Sequence, residues 1–382
     1  MQRNKYLPGH KLKLLHSGDE YFSELEGVIS TAKKILHLQV YIFDEDATGK
    51  KIIDALLAAT QRGVSVFVMV DAFGSDLSKK SVKEFKNRGI QFRYFSPFPF
   101  SGLSQSGRRL HHKICIADDD IALIGGINIA DKYSGYNQPA PWFDYAVKIE
   151  GPVCTDIHSI CESIWQRRFR KRKQGSLPRE KTNGESLVRV SRNDWLRRKN
   201  EISTSYKYNL RTAQNEIIIV ASYFIPSQKV LNILVRAAKQ GRSVTVILSR
   251  KSDVPFIKAS TSYLYGRMLR NGIRIFEYTE SVLHAKVCVV DNEWCTIGSH
   301  NLNHLSEFLS VETNVDVMDK NFALLLKKEL QQVMRNQCIE ITLDDYQKSG
   351  TPVQRLSRWI SFKIVSWSMW ILEVVNRKDS KK

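Results

Sequence analysis

The chain has 382 residues, enough for two ordinary domains or one large two-lobed unit, and its 42% hydrophobic and 25% charged residues are those of a soluble globular protein. With 58 Lys and Arg against 39 Asp and Glu the formal charge is +19, and the sequence pI is near 9.6. That balance is unusual for an enzyme of small metabolites and directs attention to a polyanion, either nucleic acid or an anionic membrane surface.

From the N-terminus, MQRNKYLPGHKLKLL holds no long apolar run, so neither a secretory leader nor an N-terminal membrane anchor is expected. KKILHLQVYIF (33–43) is an apolar, β-branched strand, KKIIDALLAATQRG (50–63) a helix stopped at Gly63, and SVFVMVDAF (65–73) a buried strand. VKEFKNRGIQFRYF (82–95) adds a further helix-Gly-strand unit. The order then repeats: strand 215–226, helix 228–241 ending at Gly241, strand 243–249, and the helix-Gly-strand unit YGRMLRNGIRIFEY (265–278). Strands alternating with amphipathic helices predict α/β layers around a largely parallel sheet, built twice and packed about a pseudo-twofold axis. The first lobe is expected over 1–173, a linker over 174–187, the second lobe over 188–345 and a separate C-terminal segment over 346–382. The basic run in WQRRFRKRKQGSLPREKTNGES (165–186) reads either as a solvated helix end or as a phosphate-facing patch. The six cysteines form no CxxC pair, and Cys115 and Cys288 sit in apolar runs; reduced, mostly buried thiols of a cytoplasmic protein are expected rather than a disulfide framework.

Each repeat delivers the same pattern, His-x-Lys-x4-Asp-x6-Gly-x-x-Asn. The first copy is HHKICIADDDIALIGGIN, with His111, Lys113, Asp118, Gly125 and Asn128; the second is HAKVCVVDNEWCTIGSHN, with His284, Lys286, Asp291, Gly298, Ser299 and Asn301. Histidine and lysine at i and i+2 of a strand leave on one face. One imidazole can attack phosphorus and hold a covalent intermediate, and a second can protonate the leaving alkoxide and later deprotonate an incoming alcohol. Two lysines and two asparagines supply charge and donors to the non-bridging oxygens, and a carboxylate bonded to an imidazole would fix its tautomer. One copy carries half of this equipment; two copies complete a phosphodiester-transfer site that calls for no metal and no cofactor.

These paired motifs resemble the signature of the phospholipase D superfamily. YIFDEDATGKKIIDALLAATQRGVSVFVMVDAFGS, FDYAVKIEGPVC, SYFIPSQKVLNILVRAAKQG and SRKSDVPFIKAS are similar to segments of its bacterial cardiolipin synthases, over most of residues 10–320. The shorter type without N-terminal transmembrane helices fits best. The resemblance implies two α/β/α lobes with the active site between them. It also implies a phosphatidyl transfer in which phosphatidylglycerol loads a histidine, releases glycerol, and a second phosphatidylglycerol takes the group to give cardiolipin. It further implies His111 as nucleophile and His284 as general acid/base, although the near-symmetric repeats leave that order open. Asp144 and Glu312 stand where acids of the family orient the opposite or neighbouring histidine. Two departures are visible: Gly126 where serine often follows the motif glycine, and Ser310 where an asparagine is expected.

A lipid substrate requires membrane contact. In RLSRWISFKIVSWSMWILEVVNRKDSKK, Trp359, Trp367 and Trp370 cluster with Ile and Val among Arg and Lys, and Lys363 and Glu373 interrupt an apolar stretch too short for a span. An in-plane amphipathic helix is expected, with docking on the protein's own core as the competing reading. The loop YFSPFPFSGLSQSGRRLHH (94–112) is a second candidate for lipid contact. The expected partners are an anionic phospholipid and a membrane surface, with no nucleic acid. The enzyme would sit peripherally on the cytoplasmic side of the cell membrane, and needs no oligomer to complete its site. A phospholipase D-type hydrolase, or a nuclease or phosphodiesterase, uses the same residues and stays open on the motifs alone.

Overall fold

The computed structural model describes residues 6–97, 108–166, 186–303, 306, 310–348 and 350–379, with side chains up to 367. Most of the expected linker (174–185), the basic run at 167–173, the loop tip at 98–107 and the ring of Trp370 lie outside the described residues.

Two mixed sheets form the frame. In the first, the strands run Gln91–Phe95, Ser65–Asp71, Ile35–Val40, Ile114–Ala117, Ile121–Gly125, Tyr145–Glu150 and Leu7–His16. In the second, the order Arg274–Val282, Ser243–Lys251, Glu216–Ala221, Lys286–Val290, Trp294–Gly298, Ser310–Met318, Ser186–Asp194 repeats it strand for strand, and Cys338–Ile341 extends the edge. Within each set only the first three strands are mutually parallel. The expectation of a largely parallel sheet is therefore corrected to a mixed one. The reason lies in the motif, which runs as an antiparallel hairpin instead of crossing over through a helix. Its turn residues Asp118 and Asp119, and Asp291 and Asn292 in the second copy, have φ of 54°, 63°, 53° and 57°. Asp and Asn tolerate that left-handed backbone better than other side chains.

The central strands are apolar on both faces because helices cover them: Ile217 to Ala221 are all buried. The helices Ala47–Gln61 and Gln228–Lys239 begin at capping side chains, Asp46 accepting from the Gly49 N–H and Ser227 from the Val230 N–H. Each such cap contributes about 1 kcal/mol. Both helices stop where expected, at Gly63 and Gly241 with φ of 87° and 83°.

The two sheets share one core. A single buried cluster contains Ile116, Ile124 and Val147 of the first with Val287, Ile297 and Val315 of the second. It is closed by Ile157 and Cys161 of the helix Val153–Trp165 and by Leu326 and Leu330 of the helix Lys320–Gln337. The strand Leu7–His16 ties the edges together, pairing with Tyr145–Glu150 and, through Leu7 and His10, with Ser186–Asp194.

The C-terminal segment is a helix, Pro352–Asp379. It docks by one face, with Phe362 stacked on Tyr263 at 4.7 Å and Val365 packed with Ile225. On another face Val353, Leu356, Ile360, Ile364 and Trp367 follow helical spacing and remain 75, 55, 41, 49 and 65% exposed. No helix among the described residues is long and apolar enough to cross a membrane.

Candidate active site

The motif strands carry their histidines to the place where the two halves meet. His111 follows the short strand Arg109–Leu110, which pairs in parallel with Ser310–Val311 of the second half. The His111 N–H donates to Val311 O at 3.0 Å, and the His284 N–H donates to Phe143 O at 2.8 Å. In each case the residue after the accepting carbonyl is an acid. Backbone pairing thus delivers Glu312 to His111 and Asp144 to His284.

The side chains complete the exchange. The Nδ1–H of His111 donates to Glu312 Oε2 at 3.0 Å, and that of His284 donates to Asp144 Oδ2 at 2.6 Å. An ionised carboxylate only accepts, so this contact fixes the tautomer and turns the lone pair of each Nε2 towards the cleft. Both acids are fully buried. Burial would raise Glu312, but the neighbouring His111 outweighs it and holds the carboxyl below its usual range. Asp144 is pushed up by burial to about 6, with Lys286 opposing the rise.

Each lysine lies against the histidine of its own motif. Lys113 Nζ donates to His111 O at 2.6 Å. Lys286 Nζ donates to His284 O, lies 2.8 Å from His284 Nδ1 and 3.5 Å from Asp144 Oδ2. Both ammonium groups are buried, and burial lowers their pKa values; for Lys113 burial together with the charge of Lys286 brings it to about 7. Burial likewise lowers both histidines, aided at His284 by Lys286 and Lys113. The cationic groups of the site disfavour one another's charge. A phosphodiester is the kind of ligand that relieves this repulsion.

The remaining motif residues are spread over different tasks. Asp118 accepts from the N–H groups of Lys33, Lys34 and Ile35 at 2.6, 2.7 and 2.9 Å. Asp291 does the same for Gln214, Asn215 and Glu216 at 2.6, 2.8 and 2.8 Å. These carboxylates tie the hairpin to the start of the neighbouring antiparallel strand, away from the imidazoles. Asn128 accepts from the Ile42 N–H at 3.0 Å and donates to Tyr133 Oη at 2.8 Å, while Asn301 Oδ1 accepts from Ser222 Oγ at 2.7 Å. Ser299 donates to Glu312 Oε2 and accepts from the Thr313 N–H at 3.1 Å, so its hydroxyl is spent on the acid. Its counterpart Gly126 has no room for a hydroxyl: a Cβ there would lie 2.3 Å from Asp144 Oδ2. The first motif lacks serine because the shorter Asp144 carboxylate occupies that space.

Several site residues carry no motif signal. Tyr133, in the short helix Asp131–Ser134, brings its hydroxyl to 3.5 Å from His284 Nε2. Trp142 lies 5.9 Å from the His284 ring and Tyr41 5.0 Å from that of His111. For Tyr133 and Trp142 the available hint is closeness in sequence to Asn128 and Asp144; Tyr41 has none. Among the described residues no group of three His, Cys, Asp or Glu side chains is placed to hold a metal.

The sequence profile described as "Cardiolipin synthase, PLD-like domain" matches residues 25–165 and 206–334. Cardiolipin synthase B of Escherichia coli K12 is 34% identical over 345 residues, covering 87% of this chain and 82% of that protein. A cardiolipin synthase of Clostridium perfringens strain 13 is 27% identical over 357 residues, covering 90% and 74%. Among solved structures, the phosphatidylserine synthase of Haemophilus influenzae Rd KW20 superposes with a TM-score of 0.72 over 97% of this chain and 96% of that one at 14% identity, a likeness of fold. The paired half-sites, the profile match over both repeats and the near full-length relatives give one answer: the chain belongs to the cardiolipin synthase family of phospholipase D-like proteins.

Proposed function

We propose that this protein is a phosphatidyltransferase that makes cardiolipin from phosphatidylglycerol. The observation that carries the reading is the crossed pairing of each motif histidine with a buried acid of the other half, Glu312 with His111 and Asp144 with His284, in a chain of this family. The phosphodiester of one phosphatidylglycerol lies between the two Nε2 atoms. His111 Nε2 attacks phosphorus, the phosphorus–oxygen bond to the headgroup glycerol breaks, and His284 Nε2–H protonates the departing oxygen. Glycerol leaves a phosphatidyl-histidine. A glycerol hydroxyl of a second phosphatidylglycerol then gives its proton to His284 Nε2 and attacks phosphorus, releasing His111 and cardiolipin.

The lysines act on the non-bridging oxygens, with the amide of Asn301 as a further donor. The negative charge of a bound phosphate offsets the two lysines and so favours on His284 the proton it needs for the first step. Asp118, Asp291 and Ser299 serve the geometry and leave the phosphate to others. Of the two histidines, His111 has the more open approach, its side chain 14% exposed against 7% for His284. That difference supports His111 as nucleophile.

The outward stripe of the helix Pro352–Asp379 is the membrane contact in this reading. The helix is anchored by Phe362 and Val365, leaving Ile360, Ile364 and Trp367 for the headgroup boundary, with Arg355, Arg358 and Lys363 to attract anionic lipid. The enzyme is then peripheral, on the cytoplasmic side of the cell membrane, with each single chain holding a complete site. Incubation with phosphatidylglycerol vesicles and analysis of the lipid products tests the activity. Cardiolipin with an equivalent of glycerol is expected; phosphatidic acid as sole lipid product would make the protein a hydrolase.

A further inference from the structure

A further cation lies beside His284. Lys132 is half-buried there, its Nζ 5.0 Å above the ring of Trp142 and 5.9 Å from that of Tyr133. Both rings touch the imidazole of His284, at 5.9 and 5.4 Å between centroids. Backbone pairing locks the arrangement, since the Trp142 N–H donates to Lys132 O at 2.7 Å. Among the described residues no carboxylate lies within ion-pair distance of this ammonium. Asp44 is the acid that feels its charge, and burial raises the Asp44 carboxyl towards its neutral form. Lys132 also bears on His284, adding to the positive charge that disfavours the imidazolium. A cation over two aromatic faces, one ring away from the proton-handling nitrogen and with no carboxylate at ion-pair distance among the described residues, is fitted to receive an anion.

The reaction proposed above brings two phosphates to one site. The first reacts between the imidazoles. The second belongs to the acceptor lipid, whose glycerol hydroxyl must stand at His284 Nε2 while its own phosphate sits one glycerol backbone away. We propose that Lys132, with Trp142 and Tyr133, forms the subsite for this second phosphate and so selects a phospholipid as acceptor over water or a simple alcohol. The inference rests on the phosphatidyltransferase reading and deepens it, because nothing in the motif itself distinguishes one acceptor from another. The headgroup carbons of the acceptor lie against the two rings, and its phosphate replaces the missing counter-ion of Lys132.

The test uses the full chain with phosphatidylglycerol vesicles in buffer containing ethanol. Cardiolipin, phosphatidylethanol, phosphatidic acid and glycerol are measured together for the wild type, Lys132→Gln and Lys132→Arg. Ethanol carries no phosphate and makes no use of the subsite. In Lys132→Gln the ratio of cardiolipin to phosphatidylethanol should fall about tenfold, the scale of one lost charge contact in a partly screened site. Lys132→Arg should restore most of it. An unchanged ratio, with both products lowered alike or neither lowered, overturns the proposal. A wild type that yields phosphatidylethanol and phosphatidic acid but no cardiolipin overturns the cardiolipin-forming reading, and the acceptor subsite with it.

Discussion

Glu312 and His111 are 201 residues apart in the chain and 3.0 Å apart in space, and the mirror-image contact joins Asp144 to His284 across 140 residues at 2.6 Å. Neither half alone therefore supplies its histidine with a carboxylate partner. Replacing the acids by amides tests this with little change of shape. Glu312→Gln and Asp144→Asn should each lower turnover by roughly 100-fold, the usual cost of losing a group that orients an imidazole. Steady-state kinetics with circular dichroism as a fold control reads the effect. Activity within about twofold of wild type would remove the orienting role.

The division of labour between the histidines has a direct readout. His111→Ala should abolish turnover and form no adduct. His284→Ala should also lose turnover of phosphatidylglycerol, but with a phosphatidyl donor whose leaving group needs no protonation, such as a p-nitrophenyl ester, it should accumulate the phosphatidyl group on His111, visible by intact-protein mass spectrometry. An adduct on His284 in the His111→Ala protein would reverse the assignment.

Lys113 predicts a pH dependence of binding. Burial and Lys286 bring its pKa to about 7 in the empty site, and a bound phosphate must raise it. Binding then takes up a proton above that pH, and affinity for a phosphodiester headgroup analogue should weaken as pH rises through 7 to 9. Calorimetric titration in buffers of different ionisation enthalpy counts the proton. Affinity that is flat, or that strengthens with pH, would mean Lys113 keeps its charge without ligand.

Gly126→Ser makes the first motif look like the second, yet should damage the enzyme. The new Cβ falls 2.3 to 2.7 Å from the Asp144 carboxylate, which must swing away from His284. A displacement near 1 Å at such a place costs roughly 100-fold in rate. Ser299→Ala should be milder, because Glu312 keeps His111 while losing one donor. The two rates, measured side by side, check the order.

On the C-terminal helix, Ile360→Ser with Ile364→Ser alters only the outward stripe. Binding to phosphatidylglycerol vesicles should weaken by about tenfold or more, since each apolar side chain contributes on the order of 1 kcal/mol on leaving water. The melting temperature should stay within about 2 °C. Unchanged sedimentation with vesicles would discard the stripe as the lipid contact.

Much of this was legible in the sequence because it is local. The repeated strand and helix patterns, the glycine stops and the i, i+2 placement of histidine and lysine depend on neighbours a few residues away. The sheet order was less legible: buried strands such as Glu216–Ala221 read alike whether their partners are parallel or antiparallel. The roles of Asp118 and Asp291 were hidden for a related reason. A carboxylate at fixed spacing after a histidine suggests partnership, whereas the hairpin turns it back onto the backbone at Lys33 or Gln214. The need for glycine at 126 depends on how far the Asp144 side chain reaches from another strand. Nothing in the sequence sets Lys132 apart from other lysines; its place over the Trp142 ring comes from the fold.

Each histidine hangs by its own backbone N–H from the strand that carries the other half's acid. Separation of the halves, even by the length of a hydrogen bond, therefore disarms both imidazoles together. In the proposed mechanism, where a histidine carries the lipid, this is a safeguard: a chain that is partly unfolded or still being synthesised cannot load itself. The interlock also ties the fortunes of the halves together. A lesion that loosens either one silences the whole molecule, with no half-active state to leak phosphatidic acid into the membrane.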